Sequence, residues 1–581
     1  MLMCALLTRA TTFLSLVLVL VWPSCCCAQA PLEPAQLPAQ TSFYLIWRGT
    51  PQGDIRQTNA LLSFWDDPDC APLRSAIVDM LMSDNKQKDK PALTRDELTQ
   101  YASLLDNPLV LGYLSRPDDL PAAKTPATGA PAWQGLFFVY DRTGKEALLS
   151  KAALRMRASD SDIPKISEVT IAGVPALKIE RKSGVNYWAE TGKFAVSAQD
   201  KSVFELILNR LNGKGSGSSV AESAAYREAK PLLGGGILEF FFRVPDLKKL
   251  MSVDSSSGAQ AKQAAAVVQA LKLESIHSVA GRVILEGAKT RLQGAVLGEP
   301  THGSLFDIWS GGQAAPASMS LLSSNTVFYH ESQIDFLGIY SLLKNALVQS
   351  GQNSAQLVAP LEAAAQTRLG MPIPDALGLT TGEIASLENS PTLDDTQQVR
   401  VLGIRNKPDA LKLLRTLMGE QITSEHNEGN ITYVKISLHG GQSSAGVAQW
   451  NFYHLAMTPN LLLGASKSEP LHALLAQPAG NADPAPPKNF LAARSQFPEK
   501  VNGFSYFDIQ KVDWPGMKTR WLAEAKKAAA DAKTADAAAS QKTLSDALDT
   551  MNPQVFPRHL HTMIGASWKD EKGVHFDEWM D

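Results

Sequence analysis

Alternating apolar positions mark much of this chain as strand. Thr41 to Trp47 interleaves aromatic and aliphatic residues, and Leu109 to Leu114 and Trp133 to Tyr140 read the same way across a Pro/Ala-rich loop at 117–132. Between the first two strands, Leu73, Ile77, Val78 and Leu81 fall at helical spacing. The pattern turns helical from Ala147 to Met156 and returns to strand from Glu168 to Glu180. A hairpin of Asn186–Ala189 with Lys193–Ala198 is predicted to turn at Thr191-Gly192. Asp200 can then cap a helix through Leu211, its carboxylate accepting an orphan backbone N–H. Gly234-Gly235-Gly236 leads into a strand at Ile237–Val244. Two closing hairpins follow, His277–Glu286 with Thr290–Leu297 and His561–Lys569 with Val574–Trp579. Ala-rich helical stretches precede them, at Gly258 to Leu271 and Trp521 to Leu548; with alanine faces they bury little and are expected on the surface. Strands that follow one another through short Gly turns predict antiparallel α+β lobes rather than a doubly wound sheet.

The elements recur. Thr41-Ser42-Phe43-Tyr44 returns as Thr326-Val327-Phe328-Tyr329, and Leu136–Arg142 as Val401–Asn406. Gly173–Ile179 is echoed by Gly429–Ile436. Phe194, Val196, Ala198, Phe204 and Ile207 match Leu461, Leu463, Ala465, Leu471 and Leu474. Gly236–Phe240 pairs with Gly503–Phe507, and His277–Gly281 with His561–Gly565. Six ordered pairs at this spacing predict two internally duplicated lobes, each a mainly antiparallel sheet with packed helices, rather than a solenoid of short units. The expected division is a signal peptide at 1–30, a linker at 31–40 with nothing to bury, a first repeat at 41–310, a Gly/Ala/Ser-rich linker at 311–324 and a second repeat at 325–581.

The first thirty residues read as a secretory signal: Arg9, an apolar run from Phe13 to Trp22, Pro23, and small residues at Ala28-Gln29-Ala30. Cleavage near Ala30 is expected. An uncleaved anchor would need about twice that apolar length, and a lipid anchor at Cys25 is the weaker alternative because Trp22 spoils the attachment box. Cleavage removes Cys4, Cys25, Cys26 and Cys27, leaving Cys70 without an intrachain partner, so the mature chain must rest on hydrophobic cores. Cys70 itself, beside Asp66, Asp67 and Asp69, reads as structural rather than reactive. A net charge of −3 with 19% charged residues argues against nucleic acid, and no later apolar run reaches membrane-spanning length.

Chemistry is sparse. His559, His561 and His575 come closest to a metal cluster, His559 and His561 sharing a face if they lie on a strand. Their matches in the first repeat are Ser275, His277 and Arg291, and a third ligand has no clear candidate, so no metal site is predicted. Gly213–Ser219 lacks the Gly-Lys-Ser/Thr ending of a P-loop and follows a helix. Gly441–Ala445 lacks the context of a nucleophile elbow, and Ser83/Lys86 and Ser341/Lys344 lack partner motifs. The acidic runs Asp66–Asp69 and Ser159–Asp162 do not continue into a calcium loop and read as solvated turns. No catalytic residue and no cofactor follow from these residues, although His, Ser and Asp distant in sequence can still meet in a fold.

The signal, the paired Thr-x-Phe-Tyr strands, Leu-Gly-Leu-Thr-Thr-Gly-Glu-Ile at 377–384, Asp-Ala-Leu-Lys-Leu-Leu at 409–414 and the hairpin-helix from Lys193 to Leu211 with Val220–Tyr226 carry a resemblance. The chain resembles secreted bacterial proteins with domain of unknown function 3352, and in length and secretion the YfaA-like family with domain of unknown function 2138. The latter is encoded beside a bacterial alpha-2-macroglobulin, which implies an envelope setting. Neither family defines catalytic residues. The resulting expectation is a periplasmic, non-enzymatic binding module for an envelope protein, peptide or lipid held between the lobes, with a bacterial alpha-2-macroglobulin among the candidate partners. The alternative is a periplasmic hydrolase whose site assembles only in the fold.

Overall fold

The computed structural model describes residues 30–84, 94–115, 135–151, 165–181, 184–215, 217–245, 269, 272–301, 304–309, 312–349, 352–394, 396–437, 454–476, 486–532 and 534–581. Within them the chain is α+β, with twenty strands in one antiparallel sheet. The first ten are β1 (Thr41–Trp47), β2 (Leu109–Leu114), β3 (Leu136–Asp141), β4 (Lys165–Ile171), β5 (Val174–Arg181), β6 (Gly184–Thr191), β7 (Phe194–Ala198), β8 (Leu238–Arg243), β9 (Ile276–Glu286) and β10 (Lys289–Gly298). The second ten are β11 (Phe328–Gln333), β12 (Thr380–Glu388), β13 (Val399–Ile404), β14 (Ile422–Glu428), β15 (Ile431–Ile436), β16 (His454–Met457), β17 (Leu461–Ala465), β18 (Gly503–Asp508), β19 (Thr562–Asp570) and β20 (Gly573–Met580).

Pairing in the first half runs β4-β5-β6-β7-β3-β2-β1-β8-β9-β10. In the second half it runs β14-β15-β16-β17-β13-β12-β11-β18-β19-β20, the same order position for position. The last strands of the two halves then pair with each other, antiparallel, from Thr290↔Met580 to Leu297↔Gly573. Two edges that would each expose unpaired backbone groups are thereby closed on one another. Gln293 faces Asp577 in this seam, donating from Nε2 to Oδ2 at 3.1 Å, and Arg291 donates from Nε to Oδ1 at 2.8 Å. Gly294 is required there, because a Cβ would run into the Phe576 ring.

Strand alternation decides what the sheet covers. Tyr44, Ile46, Val110, Phe137, Val139 and Phe241 are fully buried on one face under the helix Lys201–Leu211, which inserts Phe204, Ile207 and Leu208. Asp200 caps that helix as predicted, its Oδ1 accepting from the amides of Ser202 at 2.7 Å and Val203 at 3.1 Å. The hairpin β6–β7 turns at Gly192, whose φ of +52° suits glycine. In the second half Leu471 and Leu474 of the helix Ser468–Leu475 fill the corresponding place.

Buried polar groups follow the same plan with one exchange. Tyr44 donates from Oη to Glu239 Oε1 at 2.9 Å, and Glu239 sits opposite Ile46. Tyr329 donates to Glu331 Oε2 at 2.7 Å, and Glu331 sits opposite Phe504. In the first half the carboxylate lies on the strand beside the tyrosine's, and in the second on the tyrosine's own strand.

Three expectations are corrected. Residues 31–40 are not a tether: Leu32 and Leu37 are 0% exposed in the first core, Glu33 pairs with Arg48 at 2.6 Å, and Pro38 bridges to Ser219. The expected linker at 311–324 is likewise no free tether over its described residues, 312–324. Leu321 and Leu322 enter the second core, and the amides of Ala317 and Ser318 donate to Glu383. The Ala-rich stretch after β18 breaks into two helices, Trp514–Ala530 and Ala535–Thr550, with Thr534 capping the second. They pack on each other, and the second packs on the helix Ala71–Asp84, burying Ala525, Leu548 and the following Met551, while most of the alanines stay exposed as expected. The expected helix at 258–271 and the loop at 117–132 lie outside the described residues, apart from 269.

Candidate functional site

The histidine cluster does not assemble. His559 ends the helix Val555–His559, while strand β19 begins only at Thr562, so His559 and His561 do not share a strand face. His575 lies on β20, stacked on Trp568. Among the described residues no group of three or more His, Cys, Asp or Glu side chains is placed to hold a metal ion.

His559 instead joins the halves. Its Nδ1 lies 3.0 Å from Ser63 Oγ and its Nε2 lies 2.7 Å from Asp67 Oδ2. Arg558 donates to Asp67 at 2.7 Å and to Asp69 at 3.0 Å, Asn552 donates to Asp69, and Phe556 packs on Phe64. The acidic turn is therefore a latch rather than a solvated loop. Burial alone would raise the Asp67 carboxyl, but His559, the Asp69 amide and Arg558 outweigh it and hold its pKa below the usual value. Ser63, His559 and Asp67 have the residue types of an acyl-transfer triad. Yet Ser63 Oγ also donates to the Ala60 carbonyl at 3.1 Å, so its single proton is turned away from the imidazole and not held by a base. Cys70, beside the latch, is 1% exposed and burial pushes its thiol up to about 12, so it carries no thiolate. Lys344 of the Ser341/Lys344 pair is engaged by Glu362. Gly441–Ala445, Ser159–Asp162 and Lys86 lie outside the described residues.

The other face of the sheet is where the molecule is unfinished. Opposite the buried set, Phe43, Leu45, Leu111, Phe138, Phe240 and Phe242 all share one face and all remain partly exposed. Directly opposed residues form rows across the strands. In the first half one row runs Leu45–Phe240–Gly281–Gly294, and the next Trp47–Leu238–Val283–Leu292. The matching rows of the second half run His330–Ser505–Gly565–Glu578 and Ser332–Gly503–Ser567–Phe576. Along these rows the second half sets His330, Ser505, Ser332 and Glu578 where the first has apolar side chains or glycine, while Phe328 and Phe507 keep the adjoining row apolar in both halves. The His330 side chain is exposed, and the protein atoms crowded around it lower its pKa. Burial likewise raises the Glu578 carboxyl in the same row. Both groups are biased toward their neutral forms.

Two cavities open on the apolar half of this face. One, of about 270 Å³, lies against β2 and β3 and is lined by Leu109, Phe138 and Tyr140 together with Tyr101, Leu104, Leu105 and Leu149. A larger and more polar one, about 670 Å³, lies over β4, β5 and β6 beside Trp188, Glu168 and Glu190. Both are within the first half rather than between the halves. Sequence alternation already placed these strand residues on one face; which face the helices cover was not readable from it. Among the described residues no helix is long and apolar enough to cross a membrane. Compared with known proteins, the chain matches no family model, no curated protein and no solved structure.

Proposed function

We propose that this chain is a non-enzymatic binding protein of the cell envelope that shields an amphiphile on the partly exposed face of its sheet. The carrying observation is the division of that face. Leu45 and Phe240, partly exposed beside the buried Trp47 and Leu238, offer an apolar bed, and His330, Ser332, Ser505 and Glu578 offer hydrogen-bonding groups at the matching places of the other half. Partly shielded apolar side chains suit a small or chain-like ligand, because contact with a large flat partner is favoured by fully exposed ones.

The two halves, in this reading, are copies of one fold. Supporting it, Phe43 packs edge-on to Phe242 at 6.4 Å, and Phe328 to Phe507 also at 6.4 Å. That pairing makes Leu238, not Gly236, the counterpart of Gly503. Counting back from Thr41 and Thr326, Leu37 matches Leu322 and Pro31 matches Pro316, so the copies begin ten residues earlier than the Thr-x-Phe-Tyr strands. Export through the signal at 1–30 and the resemblance to secreted families favour an envelope location; the signal itself precedes the described residues. A hydrolase is the second reading, favoured only by the Ser63–His559–Asp67 contact.

The test is titration of the signal-cleaved protein, purified without detergent, with N-phenyl-1-naphthylamine. A saturable fluorescence rise, displaced by dodecanol and weakened in Leu45→His/Phe240→Ser, is expected. That double variant copies the second half's own residues into the first. Absence of saturable binding, or an unaltered affinity in the variant, would overturn the reading.

A further inference from the structure

The smaller cavity has a feature its apolar walls do not require. Tyr140 is 1% exposed, and its Oη has no hydrogen-bond partner. Tyr101, which lines the same cavity, also has a buried Oη without a partner. Buried hydroxyls are nearly always satisfied, so two orphans on residues that line one cavity are the feature to explain. Nothing in the fold demands a hydroxyl there: the residue that matches Tyr140 in the second half is Leu402, and the helix Lys407–Met418 lays Leu414 into a filled cluster on that side.

The surroundings constrain the ligand. Asp106 donates nothing: its Oδ2 accepts from Lys145 at 3.0 Å, and its buried Oδ1 is unpartnered. Burial first, then the charges of Asp106, Asp141 and Glu146, push the Tyr140 phenol far up, so it stays a neutral donor. The same carboxylates disfavour a second anion nearby. The volume lies between the ~150 Å³ apolar cavity that takes benzene and the ~300 Å³ at which drug-sized pockets begin.

We propose that this cavity binds a neutral, mainly apolar molecule of about ten heavy atoms, whose single carbonyl or hydroxyl oxygen accepts from Tyr140 and Tyr101. The proposal rests on the binding reading above and names one of its ligand classes. Isothermal titration of the mature protein with 1-naphthol, 1-decanol and decanoate tests it. 1-Naphthol and 1-decanol are expected to bind one to one, and decanoate at least tenfold more weakly. Tyr140→Phe should weaken 1-naphthol about fivefold, the worth of one hydrogen bond, without lowering the melting temperature of the free protein. Leu149→Trp, or Leu149→Phe if the larger residue prevents folding, should abolish binding by filling the cavity. If neither neutral compound binds, or if Tyr140→Phe binds as tightly as the parent, the hydroxyls serve only a buried water and the proposal falls. N-Phenyl-1-naphthylamine binding that survives in Leu149→Trp would leave the open-face reading standing while this one fails.

Discussion

Replacing Glu331 with glutamine should stabilise the protein at alkaline pH and do nothing in acid. Glu331 is 4% exposed, and burial pushes its carboxyl up to about 7 from an ordinary 4.5. The neighbouring Glu383 reinforces the shift, while the Tyr329 hydroxyl and Arg494 oppose it. Its counterpart in the first half, Ile46, carries no charge, and there the carboxylate Glu239 has Arg48 at 3.7 Å. A folded-state pKa above the unfolded one means the native state holds the proton more tightly. Stability is therefore complete below 4.5 and is lost as pH rises through about 7. A tenfold step in acidity is about 1.4 kcal/mol, so ionising this carboxyl costs about 3 kcal/mol by pH 8. Glutamine mimics the protonated form and keeps an acceptor for Tyr329. Urea midpoints of parent and Glu331→Gln from pH 4 to pH 8 should coincide at the acid end and diverge by up to about 3 kcal/mol at the other. A constant difference across the range, or a less stable variant at pH 8, would refute the reasoning.

Leu37→Ala should cost about 2–5 kcal/mol in urea denaturation if residues 31–40 belong to the core; a change below about 0.5 kcal/mol would return them to linker status. Asp67→Asn should flatten the acid side of the stability profile, because a depressed carboxyl stabilises above its unfolded pKa and loses that contribution as pH falls; an unchanged acid limb would contradict the latch. Ser63→Ala should leave labelling by a fluorophosphonate unchanged, whereas labelling of the parent at Ser63 alone would establish the hydrolase reading. Cys70 should resist iodoacetamide until the protein is unfolded, and rapid alkylation of the native protein would show that its burial is transient.

Much of the fold was legible because strands announce themselves at period two. The hairpins and the Asp200 cap came from local pattern, whereas strand pairing puts Tyr140 at the place of Leu402 and so leaves the match of Leu136–Arg142 to Val401–Asn406 out of register. Leu32 and Leu37 were missed because prolines on either side disguised two isolated core leucines as a tether. On the reading that the halves are copies, the triple glycine at 234–236 drew the alignment two residues out of register, as the opposed phenylalanines show. The β10–β20 seam and the Ser63–His559 contact join residues nearly three hundred and five hundred positions apart, which no local period encodes. The partly exposed face was half legible: alternation groups Phe43, Leu45 and Phe240's partners, but coverage by helices is a property of the assembled layers.

The central claim is that the apolar half of the uncovered sheet face is the binding surface, and photo-crosslinking with a diazirine-bearing long-chain alcohol tests it most directly. The protein also exposes Leu337, Leu343, Leu347, Val348 and Leu361 on two helices of the second half, which supply an internal competitor. After irradiation and peptide mapping, the account predicts labels on β1, β2, β3 and β8. Labels confined to residues 336–369, or scattered without saturation, would contradict it.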